Sequence, residues 1–233
     1  MKVSKQSVEY VDHMGTDLTV VNAARVSFAK ESDFEYDLKH DGRVNERLNP
    51  RDVKLINYLA KHSHWSPFAH TSVQLRVKAP IFVARQLVKH QVGGVWNEVS
   101  RRYVDDEPEF YFPEVWRGKP ENAKQGSNGE VHPDSLWGFR SSKEDLDSFL
   151  EETLQFYKHL LDGGVAPEQA RMILPQNTMT EWYWTGSLMF FARVCKQRLD
   201  AHVQQETQEV AKMIDGICAD LFPVSWNALK ENA

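Results

Sequence analysis

Ser72-Val73-Gln74-Leu75-Arg76-Val77-Lys78-Ala79-Pro80-Ile81-Phe82-Val83-Ala84-Arg85-Gln86-Leu87-Val88-Lys89-His90-Gln91 contains one change of period. Up to Lys78 the chain alternates, with Val73, Leu75 and Val77 on one side and Gln74, Arg76 and Lys78 on the other. A period of two predicts a half-buried strand. Pro80 lacks a backbone donor and suits the first turn of a helix. The residues behind it predict a helix over 81–91, closed by Gly93-Gly94.

Outward from this stretch the pattern is mostly helical. Residues 8–28 mix strand-like and helix-like residues, with a helix entered at Asp17–Val21 and running on through Asn22-Ala23-Ala24. Residues 29–49 are polar and predict a loop; Pro50 then opens a helix over 50–59. Residues 114–140 hold several Gly and Pro and predict a long surface loop or insertion. Ser141-Ser142-Lys143-Glu144 resembles a capping box. Behind it Leu146, Phe149, Leu150, Leu154, Tyr157 and Leu161 recur at helical spacing until Gly163-Gly164. A short helix is expected over 167–173 and a longer one over 201–221. Residues 178–197 read as an aromatic helix, apolar around most of its circumference, which demands burial. The fold class expected is α+β: one compact domain over 1–233, with helices around a modest antiparallel sheet.

The composition narrows the function. A chain of 233 residues can bury a core without disulfides or metals. A formal charge of −5 and the lack of a basic run argue against duplex nucleic acid. No aromatic platform with basic neighbours suggests RNA. Cys195 and Cys218 form no Cys-x-x-Cys, so the chain reads as one from a reducing compartment, cytoplasmic. No signal peptide is legible, and the longest apolar run, near 81–84, is far too short to span a bilayer. His62, His64 and His70 cluster, but no Cys or close carboxylate completes a zinc set, so no metal is expected. Cys195, between Val194 and Lys196, has no activating context and reads as a small core residue.

Arg85, Gln86, Lys89 and His90 fall within roughly a 140° arc of the helix expected over 81–91. Alone, such an arc reads equally as a solvated face. It leads into Val92-Gly93-Gly94-Val95-Trp96-Asn97-Glu98-Val99-Ser100-Arg101-Arg102-Tyr103. There a Gly-rich turn precedes an amide, a carboxylate, a hydroxyl and two guanidiniums. Those are the groups an anionic nucleotide requires: paired donors for phosphate, short donors, and acceptors for ribose or base edges. Incidental charges on a polar loop are the competing reading.

Asn97-Glu98-Val99-Ser100-Arg101-Arg102-Tyr103 resembles part of the signature of the flavin-dependent thymidylate synthase family, Arg-His-Arg, seven residues, then Ser. Two departures stand out: Lys89-His90-Gln91 in place of Arg-His-Arg, and one extra residue before Ser100. Ala24-Arg25-Val26-Ser27-Phe28 and His64-Trp65-Ser66-Pro67-Phe68-Ala69-His70 are similar to further family motifs, the latter with Ala69 for Glu. So are Lys78 through Gln86 and Arg171-Met172-Ile173-Leu174-Pro175, with Arg198 and His202 in register.

The resemblance implies reductive methylation of dUMP, with FAD as redox cofactor, NADPH as reductant and methylenetetrahydrofolate as carbon donor. It implies a homotetramer whose sites draw on more than one subunit. By position, Gln86, Leu87, Val88, Lys89, Glu98, Val99, Ser100, Arg101, Arg102 and Arg171 would contact dUMP. Arg198 would lie by the uracil, as the catalytic group favouring loss of the N3 proton. Flavin contacts would fall on Ser27, His64, Ser66, Lys89, His90, Gln91, Glu98, Ser187, Met189, Arg193 and His202. Ser187, Met189 and Arg193 depart from the family's usual residues. These departures leave room for another pyrimidine nucleotide as substrate, for instance by hydroxymethyl transfer. A nucleotide-binding module without catalysis is the alternative of a different class. No Gly-x-Gly-x-x-Gly occurs, so no Rossmann domain is expected.

Overall fold

In the computed structural model, residues 1–38, 44–121, 126–131 and 142–232 are described. The alternating stretch is a strand, β5 (Ser72–Pro80), inside a four-stranded sheet. Its neighbours are β2 (Ser7–Met14) on one side and β10 (Met179–Ser187) on the other, and β6 (Gly94–Glu98) lies beyond β10. Every pairing in this sheet is antiparallel. Two-residue strands β1 (Lys2–Val3) and β7 (Glu109–Phe110) pair in parallel beside it. Two small hairpins complete the strands: β3 (Glu35–Leu38) with β4 (Val44–Arg47), and β8 (Arg117–Gly118) with β9 (Asn128–Glu130).

The register explains the burial. Val77 faces Trp182 and Leu75 faces Trp184, so these side chains share one face of the sheet, and all four are buried. Helices cover that face: α1 (Asp17–Arg25), α2 (Pro50–Lys61), α6 (Leu188–Arg198), α7 (Gln205–Leu221) and α8 (Pro223–Asn232). Between them in sequence come α3 (Ile81–Leu87), α4 (Ser142–Asp162) and α5 (Pro167–Ala170). Around α4, Leu154 and Tyr157 build a smaller apolar cluster with Ala170.

Several expectations are corrected. Residues 178–197 are not one helix: β10 occupies Met179–Ser187, and α6 starts at Leu188. Trp182, Trp184 and Gly186 are buried while Tyr183 is exposed, a period of two that a dense aromatic run conceals. A strand paired on both sides and covered on one face accommodates this run because bulky rings fit a pleated surface. The helix expected over 81–91 ends at Leu87, so Lys89 and His90 belong to a turn. Gly93 and Gly94 lead into a strand rather than close that helix. Gly93 has a φ of 88°, a left-handed conformation that favours glycine. The helix expected from 201 begins at Gln205. Residues 29–49 carry the β3–β4 hairpin, with 39–43 outside the described residues. Of residues 114–140, Arg117–Gly118 and Asn128–Glu130 form a hairpin, and 122–125 and 132–140 lie outside the description. Ser141, the first residue of the expected capping box, lies outside it too.

Gly94 and Gly186 are register partners on β6 and β10. A methyl group on either would run into the Phe190 ring, which packs against both backbones. Phe190, near the start of α6, therefore seats the helix on the sheet at the point where β6 begins. Trp96 stacks on Trp182 at 4.1 Å between ring centroids, which fixes the middle of β6.

Candidate active site

The structure sorts the expected residues into groups. The first lies where α3 and α6 end. Arg198 Nε donates to His90 Nε2 at 2.9 Å, and Arg198 Nη2 donates to the Gln86 carbonyl at 2.9 Å. Gln86 Nε2 donates to Gln204 Oε1 at 2.6 Å, which links the group to the residue before α7. Arg193 reaches the same turn and donates to the Val92 carbonyl at 2.7 Å. Burial pulls the Arg198 guanidinium below its usual value, and it remains a cation at neutral pH. Burial, with Arg198 and Arg193 nearby, holds His90 down at about 4. His90 is therefore neutral and can accept the Arg198 bond. Leu87 is fully buried, so its backbone alone is left for a ligand, and Val88 is half-buried.

The second group sits at the far end of β6. Glu98 accepts from Thr180 Oγ1 at 2.6 Å and from Trp96 Nε1 at 3.2 Å, and Val99 N–H donates to the Glu181 carbonyl at 2.9 Å. Ser100 Oγ accepts from Arg102 Nε at 3.1 Å, and the Arg102 guanidinium lies over the Tyr103 ring, 4.9 Å from its centroid. Arg101 Nη1 donates to the Asp106 carbonyl at 2.7 Å. Arg171 is exposed, its Nε donating to the Glu168 carbonyl at 3.2 Å. A cavity of about 340 Å³ brings Glu98, Val99 and Arg101 together with Arg171, Lys78 and Thr180.

The third group collects at the opposite end of β10. Ser187 faces Ser72 across the sheet, and the short turn Ser66–Ala69 packs against α1 and α6. His64 and Ser66 are exposed there, Met189 is partly buried, and Ser27 is exposed just beyond the end of α1. Ser187 Oγ caps α6 by accepting from Phe190 N–H at 3.2 Å. From Trp182, the partner of Glu98, to Ser187 the strand runs roughly 17 Å, so Glu98 and the Ser66–Ser187 end are far apart in one chain. His202 stands exposed in the turn before α7, bonded to Asp200 at 3.0 Å. Gln91 is exposed beside Val92.

Gln204 and Thr180 were not singled out from the sequence. Each sits inside a stretch expected to be helical, where a Gln or a Thr carries no signal; only strand pairing and chain reversal bring them to Gln86 and Glu98. Gln204 also lines a second cavity of about 620 Å³ with Phe82, Tyr111, Trp116, Arg117 and Glu206. His62 and His64 both pack on the Tyr58 ring, at 4.3 and 6.0 Å between centroids. Both cysteines are buried thiols, pushed up by that burial, with Cys195 Sγ 3.6 Å from the Ala211 carbonyl.

The donor set fits a dinucleotide with a diphosphate. Lys89 and Arg193 are exposed cations, no ion pair among the described residues holds either, and His90 and Gln91 supply neutral polar groups on the turn they share. No helix among the described residues is long and apolar enough to cross a membrane.

A small antiparallel sheet under helices, with guanidiniums and amides gathered on the turns between them, defines an α+β protein whose polar groups suit an anionic ligand. Residues 9–224 match the family described as thymidylate synthase complementing protein, and the chain belongs to that family. The flavin-dependent thymidylate synthase of Thermus thermophilus is 36% identical, over 99% of this chain and 77% of its own. That of Kosmotoga olearia is 38% identical, over 97% of this chain and 90% of its own. The crystal structure of the UMP/dUMP methylase PolB from Streptomyces cacaoi, bound with 5-Br dUMP, is similar at a TM-score of 0.81 and 30% identity. The likeness covers 99% of this chain and 97% of that one.

Proposed function

We infer that this chain catalyses the reductive methylation of dUMP to dTMP, with FAD as redox cofactor, NADPH as reductant and methylenetetrahydrofolate as carbon donor. The observation that carries the reading is a half-buried guanidinium, Arg198, held by a neutral imidazole within a chain of this family. FAD, when bound, supplies the hydride chemistry; the protein's part is orientation and electrostatics.

Arg198 commits Nε to His90 and Nη2 to Gln86, which leaves Nη1 without a protein partner among the described residues. Next to uracil, that donor would stabilise the anion formed as the N3 proton leaves. Lys89, Arg102 and Arg171 are the cations available to the nucleotide phosphate, with Ser100 as a short donor. Gln86 and Glu98, through Val99 and Arg101, would complete the dUMP contacts. Lys89, His90, Gln91, Arg193 and Ser66 would hold FAD, joined by Ser27, His64, Glu98, Ser187, Met189 and His202. The distance between Glu98 and the Ser66–Ser187 end supports a homotetramer in which one chain's Glu98 meets another's flavin residues.

The test is a flavin absorbance spectrum of the FAD-reconstituted protein, followed by a product assay with dUMP, UMP and dCMP. Conversion of dUMP to dTMP is expected. UMP belongs in the assay because a structure this similar is of a methylase named for both nucleotides. A colourless protein that does not bind FAD on titration would sink the assignment.

A further inference from the structure

The segment that carries Ser27 makes little contact with the body of the protein. Val26 is 70% exposed, Phe28 is 76% exposed, and Ser27 between them is exposed too. Ala29 turns the chain in a left-handed conformation, φ 53°. Such a segment keeps its position only if both of its ends are fastened.

Both ends are fastened to one carboxylate. Asp52 lies in the first turn of α2, where an acid ordinarily faces solvent and the helix dipole. Here it is 2% exposed. Its Oδ1 accepts from Arg25 Nε at 3.0 Å and pairs with Arg25 Nη2. Arg25 is the last residue of α1, two before Ser27. The same Oδ1 accepts from Ser32 Oγ at 3.2 Å, at the far end of the segment. Asn22 doubles the hold: its Oδ1 accepts from Ser32 N–H at 2.8 Å, and its Nδ2 donates to the Ser32 carbonyl at 3.0 Å. A buried carboxylate with charge-assisted bonds is a stiff anchor, because every alternative leaves a desolvated charge without a partner.

We propose that Asp52 is a positioning residue for flavin binding: through Arg25 and Ser32 it sets where Ser27 stands. This rests on the reading that Ser27 contacts FAD. Asp52 acts on the cofactor only through the segment, so its loss weakens FAD binding and leaves dUMP binding alone.

The experiment titrates FAD into the full-length apoprotein and follows flavin fluorescence, with dUMP affinity measured by calorimetry and folding by thermal melts. Asp52→Asn is expected to raise the FAD Kd about ten-fold with dUMP affinity unchanged, and excess FAD should restore turnover. Asp17→Asn is the structural control. That buried carboxylate accepts the Val224 and Ser225 N–H groups at 2.9 and 2.8 Å and lies outside this network. It should lower the melting temperature without moving the FAD Kd. If Asp52→Asn does not fold, Ser32→Ala decides, with an expected weakening of about three-fold. A folded Asp52→Asn, or failing that Ser32→Ala, that binds FAD as tightly as the parent overturns the proposal. Ser27→Ala separates the two readings: if it weakens FAD while Asp52→Asn does not, the positioning role alone is wrong. Failure of the parent protein to bind FAD instead removes the flavin reading itself.

Discussion

Arg198 Nε donates to His90 Nε2 across 2.9 Å, so the imidazole must be neutral, with its one proton on Nδ1. Burial and the two neighbouring guanidiniums keep it so, holding His90 down at about 4. A histidine whose folded value is depressed binds fewer protons in the folded chain than in the unfolded one between about 4 and its ordinary 6.5. Its contribution is therefore full above pH 6.5 and is lost as pH falls towards 4. The expected outcome is an acid-side drop in melting temperature across that window. His90→Gln keeps an acceptor for Arg198 but cannot titrate, so it should flatten this part of the profile. Superimposable profiles for the two proteins would show that His90 is not the group responsible.

Arg198→Ala should cut the rate of product formation by about a hundred-fold or more, the usual scale for removing a donor aimed at developing charge. FAD should still bind, because of the residues assigned to it only His90 touches Arg198, and the others keep their own contacts. Arg198→Lys should recover part of the loss, since it keeps charge but not the planar fork that spans His90 and Gln86. Normal turnover in the alanine variant would take Arg198 out of the catalytic assignment.

Cys195→Ala with Cys218→Ala should still make dTMP. Both thiols are buried and pushed away from the thiolate, the state in which sulfur acts as a nucleophile. The cost should be packing alone, about 1–3 kcal/mol in total, read as a lower melting temperature. A folded, FAD-binding double variant without product would assign a thiol to the chemistry.

Gly186→Ala should destabilise the protein by about 1–3 kcal/mol, because the added methyl meets a ring and not the end of a flexible chain. Adding Phe190→Leu should relieve part of that in a double-mutant cycle. Additive melting shifts would mean that Phe190 is not what the methyl strikes.

The sequence discloses the fold where local pattern and tertiary role agree. Val73, Leu75 and Val77 alternate in the sequence and are buried together in the sheet; Pro50 starts a helix because its missing donor costs nothing there. It conceals β10, whose partners β5 and β6 lie some hundred residues earlier, and whose Trp and Tyr side chains satisfy helical and strand spacing alike. Residue types at the site are legible in Asn97–Tyr103 because an amide, an acid, a hydroxyl and guanidiniums lie so close together. Gln204 and Asp52 are not: one acts across 118 residues on Gln86, and the other resembles any acid in a helix's first turn.

The aromatic run over 178–197, expected as a helix apolar around most of its circumference, is partly a strand, and its Trp182 and Trp184 are already buried within the chain. The far face of the sheet supports the assembly instead. Helices cover the Leu75–Trp184 face, while on the other Tyr183 is 46% exposed and Val95 is 65% exposed. Arg76 and Glu181 pair at 2.5 Å on that same face, and Gln74 donates to Thr185 at 3.1 Å, so these four polar side chains are already matched in pairs. An apolar surface with its polar neighbours satisfied loses little on being covered by a second copy. Light scattering should give four copies, and dilution that separates them should release FAD, since Glu98 and the Ser66–Ser187 end of one chain are roughly 17 Å apart. Tyr183→Asp would place a charge in the covered face and should shift the assembly towards smaller species with weaker FAD binding. A monomer that keeps FAD and full activity would contradict the shared site while leaving the reaction intact.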